Sequence, residues 1–123
     1  MIVLDTSALI DSLSGPRRSA PRLRESISRG ERIVLPALVL FEWLRGPRLD
    51  EELVAQEALF PGSLAIPFGP DEAALAATLY RGLKRPRGRE IDLAIAACAI
   101  TREGLFWTLD PSDFRDIPGL VLL

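Results

Sequence analysis

Histidine is absent from this 123-residue chain, and cysteine, methionine and tyrosine occur once each. Without histidine there is no Ser-His or Cys-His nucleophile pair, no imidazole general base and none of the common zinc ligand sets. The lone Cys98 cannot form an intramolecular disulfide, and its place in an Ala-rich apolar stretch reads as a small core residue. Aromatics are only 7% of the chain. Phe41, Trp43 and Trp107 stand inside apolar runs, which suits core or interface better than a platform for stacked bases. No signal-peptide pattern opens the chain, and no apolar stretch approaches the roughly 20 residues of a membrane span. The expectation is a soluble protein of a reducing cytoplasm, with no membrane partner. Carboxylates remain as the chemistry-bearing groups.

What is present is an apolar fraction of 48% with a mean hydropathy of +0.19. Folding a chain of this length buries about two-thirds of the surface it would expose unfolded, which argues one domain over residues 1–123. Seventeen acids against fifteen bases leave a net charge of -2 and a pI near 5.2. The whole-molecule field therefore does not hold nucleic acid, and any such contact has to be local.

Ile2-Val3-Leu4 is a short apolar run followed by good helix N-caps, Asp5-Thr6-Ser7, so a buried strand is expected to hand over to a helix. Pro16 to Arg29 is a weakly amphipathic helix that Gly30 ends. Ile33 to Leu35 reads as a second strand, Ala37 to Leu44 as a helix after Pro36, and Asp50 to Phe60 as another helix. Leu64-Ala65-Ile66 is a strand candidate, and Pro70 opens a helix reaching about Leu83. A helix from Glu90 or Asp92 is apolar to Ile100 apart from Asp92, which implies burial nearly all round. Leu105 to Leu109 and Leu120 to Leu122 complete the strands. Strands that alternate with helices and lack a period of two predict a parallel sheet covered on both faces, in an α/β class fold.

Four acids stand where such a fold is dry. Asp5 directly follows the first strand and Asp110 directly follows the strand ending at Thr108-Leu109, positions where open parallel sheets gather ligands. Glu42 and Asp92 interrupt apolar helices. Each alone also fits a structural role: Asp5 as an N-cap, Glu42 paired with Arg45, Asp92 on a helix dipole, Asp110 in a turn before Pro111. Together, carboxylates meeting in one corner repel by about 4 kcal/mol per pair at 4 Å with an effective dielectric near 20. Mg²⁺ or Mn²⁺, which take hard oxygen ligands, would relieve that repulsion. Thr6, Ser7 and Thr108 supply hydroxyls, and Asp113 a carboxylate, placed to orient the acids or to hold water around an ion.

The ordered set Asp5-Thr6-Ser7-Ala8-Leu9-Ile10, Glu42 in an apolar helix, Asp92-Leu93-Ala94-Ile95-Ala96-Ala97 and Thr108-Leu109-Asp110-Pro111-Ser112-Asp113-Phe114 resembles a PIN domain of the VapC toxin type, from residue 1 to about Leu122. The resemblance implies a three-layer α/β/α sandwich with a small parallel sheet. It implies that Asp5, Glu42, Asp92 and Asp110 bind Mg²⁺ or Mn²⁺ for RNA phosphodiester hydrolysis. It also implies a homodimer and a cognate antitoxin whose tail occupies the active-site groove.

Arg81, Lys84, Arg85, Arg87 and Arg89 form a basic stretch leading into Asp92, with no acid until Glu90. It reads either as a solvated loop or as an edge that contacts RNA phosphates. Arg17, Arg18, Arg22 and Arg24 form a second basic face, read as solvent or antitoxin surface. Competing readings are a PIN nuclease that acts on DNA or matures RNA without being a toxin, a catalytically silent binding module, and a receiver-like signalling domain. The last needs an Asp after the middle strand and a lysine after a late one. Ile66-Pro67-Phe68-Gly69 supplies no such Asp, and the only lysine is Lys84.

Overall fold

In the computed structural model, which describes all 123 residues, the chain runs β1 (Ile2–Leu4), α1 (Thr6–Leu13), α2 (Ala20–Ser28), β2 (Ile33–Val34), α3 (Ala37–Arg45), α4 (Asp50–Leu59), α5 (Pro70–Gly82), α6 (Glu90–Thr101), β3 (Leu105–Trp107) and β4 (Val121–Leu122). Short 3₁₀ turns occupy Gly62–Leu64 and Pro111–Asp113. The sheet is wholly parallel with strand order β2-β1-β3-β4. Successive residues of a strand point to opposite faces, and Ile2, Val3 and Leu4 are all buried, so both faces of the sheet are covered. This is the expected three-layer α/β/α sandwich. No helix is long and apolar enough to cross a membrane.

The core explains the composition of α6. Leu93 to Ala99 are buried without interruption, because the helix is enclosed on all sides. Small side chains there let α5 and β3 approach closely, and Cys98 is one of them, its thiol pushed up to about 11 by burial. Buried Glu72 on α5 faces Arg102 at the end of α6, tying these helices by charge as well as by packing.

Several expectations are corrected. Leu64-Ala65-Ile66 is not a strand: only Ile66 bridges, to Pro36, through the Ile66 amide donating to Leu35 O and the Ala37 amide donating to Ile66 O. α3 begins at Ala37 on one side of that bridge and the 3₁₀ turn Gly62–Leu64 precedes it on the other, so no ladder extends from it. The helix expected from Pro16 begins only at Ala20, because Gly15 and Arg17 take left-handed conformations at φ 60° and 55°. The strand expected to reach Leu109 ends at Trp107. There the Leu109 amide donates to Ser7 Oγ and the Asp110 amide to Thr108 Oγ1, which turns the backbone out of the ladder. Trp43 is fully buried, with the Arg48 guanidinium 4.2 Å from its ring centroid; the apolar surface left on α3 belongs to Phe41 and Leu44.

The return from α6 into β3 depends on Gly104. A Cβ at this position would stand 2.8 Å from Val3 Cγ2, inside the central strand. Gly104→Ala should destabilise the fold by about 1–3 kcal/mol, the range for overpacking a core, read as a lower urea midpoint with unchanged slope. A midpoint equal to that of the parent would show that Val3 gives way freely.

Candidate active site

The switch in strand order lies at β1, whose neighbours β2 and β3 are reached by connections running in opposite directions. Leu4 pairs with Trp107, and the Asp5 amide donates to Trp107 O at 2.9 Å. Asp5 and Thr108 therefore leave the sheet side by side, although they are 103 positions apart.

Asp5 stands at the N-cap position of α1, but its side chain makes no cap hydrogen bond. Its carboxylate accepts instead from Thr108 Oγ1 at 2.7 Å and from Ser7 Oγ at 3.1 Å. Ser7 Oγ also lies 3.3 Å from Thr108 Oγ1 and accepts the Leu109 amide at 3.0 Å. The capping explanation of Asp5 thus fails: a buried carboxylate is held by hydroxyls, with no cation against it. Burial pushes its carboxyl above the usual carboxylate range, opposed chiefly by the Thr108 hydrogen bond.

Thr6, at the start of α1, donates to Glu42 Oε1 on α3 at 2.6 Å. Glu42 Oε2 lies 3.3 Å from Arg45 one turn along, so the local i,i+3 pairing and the tie to Asp5's neighbour are both realised. Asp92, in the first turn of α6, is half-buried and accepts no hydrogen bond; burial raises its pKa first, then the charges of Asp5, Glu42 and Asp113, with Arg89 acting the other way. These mutual influences place Asp5, Glu42, Asp92 and Asp113 around one end of the sheet. Asp110 is exposed and three residues beyond the end of β3, with its backbone amide bound to Thr108 Oγ1. Asp113, in the Pro111 turn, is among the acids whose charge acts on Asp92.

No three of these acids are gathered tightly enough to share an ion as they stand. Drawing Glu42 inward costs its Arg45 contact, an exposed pair of a kind that contributes less than about 1 kcal/mol. The donor set itself fits Mg²⁺ or Mn²⁺: hard carboxylate oxygens, hydroxyls holding Asp5 in place, and no imidazole or thiolate to favour a softer metal.

The basic stretch divides. Arg81, at the end of α5, and Lys84, Arg85 and Arg87 in the following loop are exposed and unpaired. Arg89 is bound to Asp116 through both terminal nitrogens. Asp116 is the polar partner that sequence reasoning missed. It lies 27 positions away in an irregular segment, where no local pattern signals such a pairing.

A small parallel α/β/α sandwich with acids at the carboxyl ends of its central strands is the architecture of the PIN domain, and the PIN family profile matches residues 2–120. The chain belongs to that family. It is 34% identical over 122 residues to "Ribonuclease VapC19" of Mycobacterium tuberculosis, covering 98% of this chain and 97% of that one. Its fold is similar to a chain of DNA-bound VapBC from Salmonella typhimurium, at TM-score 0.80 and 21% identity, covering 99% and 96% of the two chains. It is also similar to a chain of a toxin-antitoxin complex from Klebsiella pneumoniae, at TM-score 0.74 and 25% identity, covering 98% and 96%.

Because Asp5 and Asp92 bind protons more tightly folded than unfolded, their contribution to stability is full below the unfolded carboxyl pKa near 4 and is lost as pH rises through their higher folded values. With chelator present, Asp92→Asn should therefore be more stable than the parent at pH 7, with the advantage vanishing near pH 4. Urea unfolding at the two pH values measures this. An advantage independent of pH would mean that Asp92 carries no such strain.

Proposed function

We propose that this chain is a metal-dependent endoribonuclease, the toxin of a toxin-antitoxin pair, that hydrolyses RNA phosphodiester bonds. The observation that carries the reading is the set of acids beyond β1 and β3 and in the first turn of α6, none of them ion-paired, in a chain of the PIN family that is 34% identical to a ribonuclease. Asp5, Glu42 and Asp92 would hold Mg²⁺ or Mn²⁺, with the fourth acid coming from the Asp110–Asp113 turn. Asp113's influence on Asp92 favours it over Asp110 for that place. When bound, the ion supplies a Lewis acid that makes water nucleophilic at neutral pH and offsets charge building on the scissile phosphate.

The chain's own residues do the rest. Thr108 and Ser7 favour the ionised form of Asp5 against its burial and aim it by donating to one of its oxygens, and Thr6 fixes one oxygen of Glu42. Arg81, Lys84, Arg85 and Arg87 are free to take RNA phosphates along the approach to Asp92. No side chain has an ordinary pKa near 7, so none is assigned as a lone general base. A homodimer and a cytoplasmic location belong to the same reading. So does a cognate antitoxin that places a cationic side chain among the acids, since the Klebsiella pneumoniae neighbour is a toxin-antitoxin complex and Phe41 and Leu44 leave apolar surface for a partner.

Labelled RNA and DNA incubated with Mn²⁺, and again with chelator, test the reading. RNA cleavage that chelator stops and Asp92→Asn abolishes is expected; cleavage of DNA alone, or of neither, overturns it. Arg85→Glu with Arg87→Glu should weaken RNA binding and lower the salt slope by about 0.7 for each phosphate that the loop no longer engages. An unchanged slope would return the loop to solvent.

A further inference from the structure

Arg89 belongs by sequence to the basic stretch, yet its surroundings give it a different task. Its Nη1 donates to Asp116 Oδ2 at 2.8 Å, its Nη2 to Asp116 Oδ1 at 2.7 Å, and the same Nη2 to the main-chain oxygen of Asp113 at 2.9 Å. A guanidinium fork on a carboxylate admits one planar arrangement, unlike the loose single contacts of most surface pairs. The third bond reaches past Asp116 to the backbone of the Pro111 turn.

Both ends of this contact are built into the fold. Arg89 is the residue before α6, and its carbonyl accepts the Leu93 amide, closing the turn that carries Asp92. On the other side, Phe114 and Ile117 are buried, and the Phe114 ring packs 4.8 Å from Phe106 on β3. Apolar anchors therefore hold the inner side of the turn. Asp113, between Pro111 and Phe114, is exposed and its carboxylate has no hydrogen-bond donor of its own. Without the Arg89 contacts, nothing polar would tie the outer side of this turn to α6.

We propose that Arg89 is a positioning residue of the acidic site: by gripping the Asp116 carboxylate and the Asp113 carbonyl, it docks the Asp110–Asp116 segment on the first turn of α6 and so fixes Asp113 beside Asp92. The inference rests on the reading of these acids as a metal site. Arg89 then serves the ion indirectly, as outer partners of ligands do, and substitutions of such partners weaken metal affinity by about 10–100-fold.

Calorimetric titration of Mn²⁺ into the parent, Asp116→Ala, Asp113→Ala and the double variant, together with RNA turnover, tests this. Asp116→Ala should weaken Mn²⁺ binding about tenfold and shift the Mn²⁺ needed for half-maximal turnover by the same factor. The KM for RNA and kcat at saturating Mn²⁺ should stay near parental values. Because the effect runs through Asp113, the double variant should bind Mn²⁺ no more weakly than Asp113→Ala. Arg89→Lys, which cannot make both sets of bonds, should resemble Asp116→Ala. A lower melting temperature with parental Mn²⁺ affinity would reduce the pair to a structural brace and overturn the proposal. A raised KM for RNA with parental Mn²⁺ affinity would make Arg89 an RNA contact and overturn it equally. Losses that add in the double variant, or parental affinity in Asp113→Ala, would overturn it while leaving the metal site intact. A parent that binds no Mn²⁺ would instead remove the metal-site reading and this inference together.

Discussion

The parallel pairing of β1 with β3 is the contact on which the acidic site depends. Only three residues of each strand pair, yet the register of Leu4 against Trp107 decides that the next residues, Asp5 and Thr108, emerge together. A slip of one residue would turn Asp5 to the other face of the sheet and separate it from the hydroxyl that holds it. The register is guarded on both sides. Val3 and Phe106 are fully buried, and the tight return at Gly104 brings β3 against Val3.

Keeping Asp5 buried opposes stability, and the structure answers this with hydroxyls instead of a cation. A guanidinium or ammonium against Asp5 would stabilise the empty protein but would compete with any ion for the same oxygens. Thr108 and Ser7 lower the cost of ionising Asp5 without neutralising it, so the negative field stays available. Arginine does approach the site, at Arg45 and Arg89, but in both places it is already engaged with an acid at the margin. The result is a centre that is negative inside and balanced at its edges, in a chain whose total charge is close to neutral.

Where a residue's place in the fold follows from local pattern, the sequence was readable. Asp5 after an apolar strand, Asp92 in an otherwise apolar helix and the hydroxyls around them follow from burial and strand position, and the alternation of strands and helices announced the parallel sandwich. The misses have physical causes that act through space. Ser7 and Thr108 take the amides of Leu109 and Asp110 and so end β3 early, which moved Asp110 away from the strand end where it was expected. The start of α3 at Ala37 and the 3₁₀ turn at Gly62–Leu64 left Ile66 as a lone bridge. Trp43 was left open between core and interface because nothing nearby in sequence shows that the core accepts its whole ring. The Arg89–Asp116 pair was illegible for the same reason: a surface arginine in a basic run carries no mark of the acid that will bind it.

The strand order also sets when the site can come into being. β1 is synthesised about a hundred residues ahead of its partner β3 and of the turn that carries Asp113, and contacts so distant in sequence form late. An unfinished chain thus carries Asp5, Glu42 and even Asp92 without the strand that aligns them. On the ribosome the acidic centre has no geometry until β3 and the turn after it have emerged, so a translation product interrupted before them is a fragment in which that centre has never been assembled.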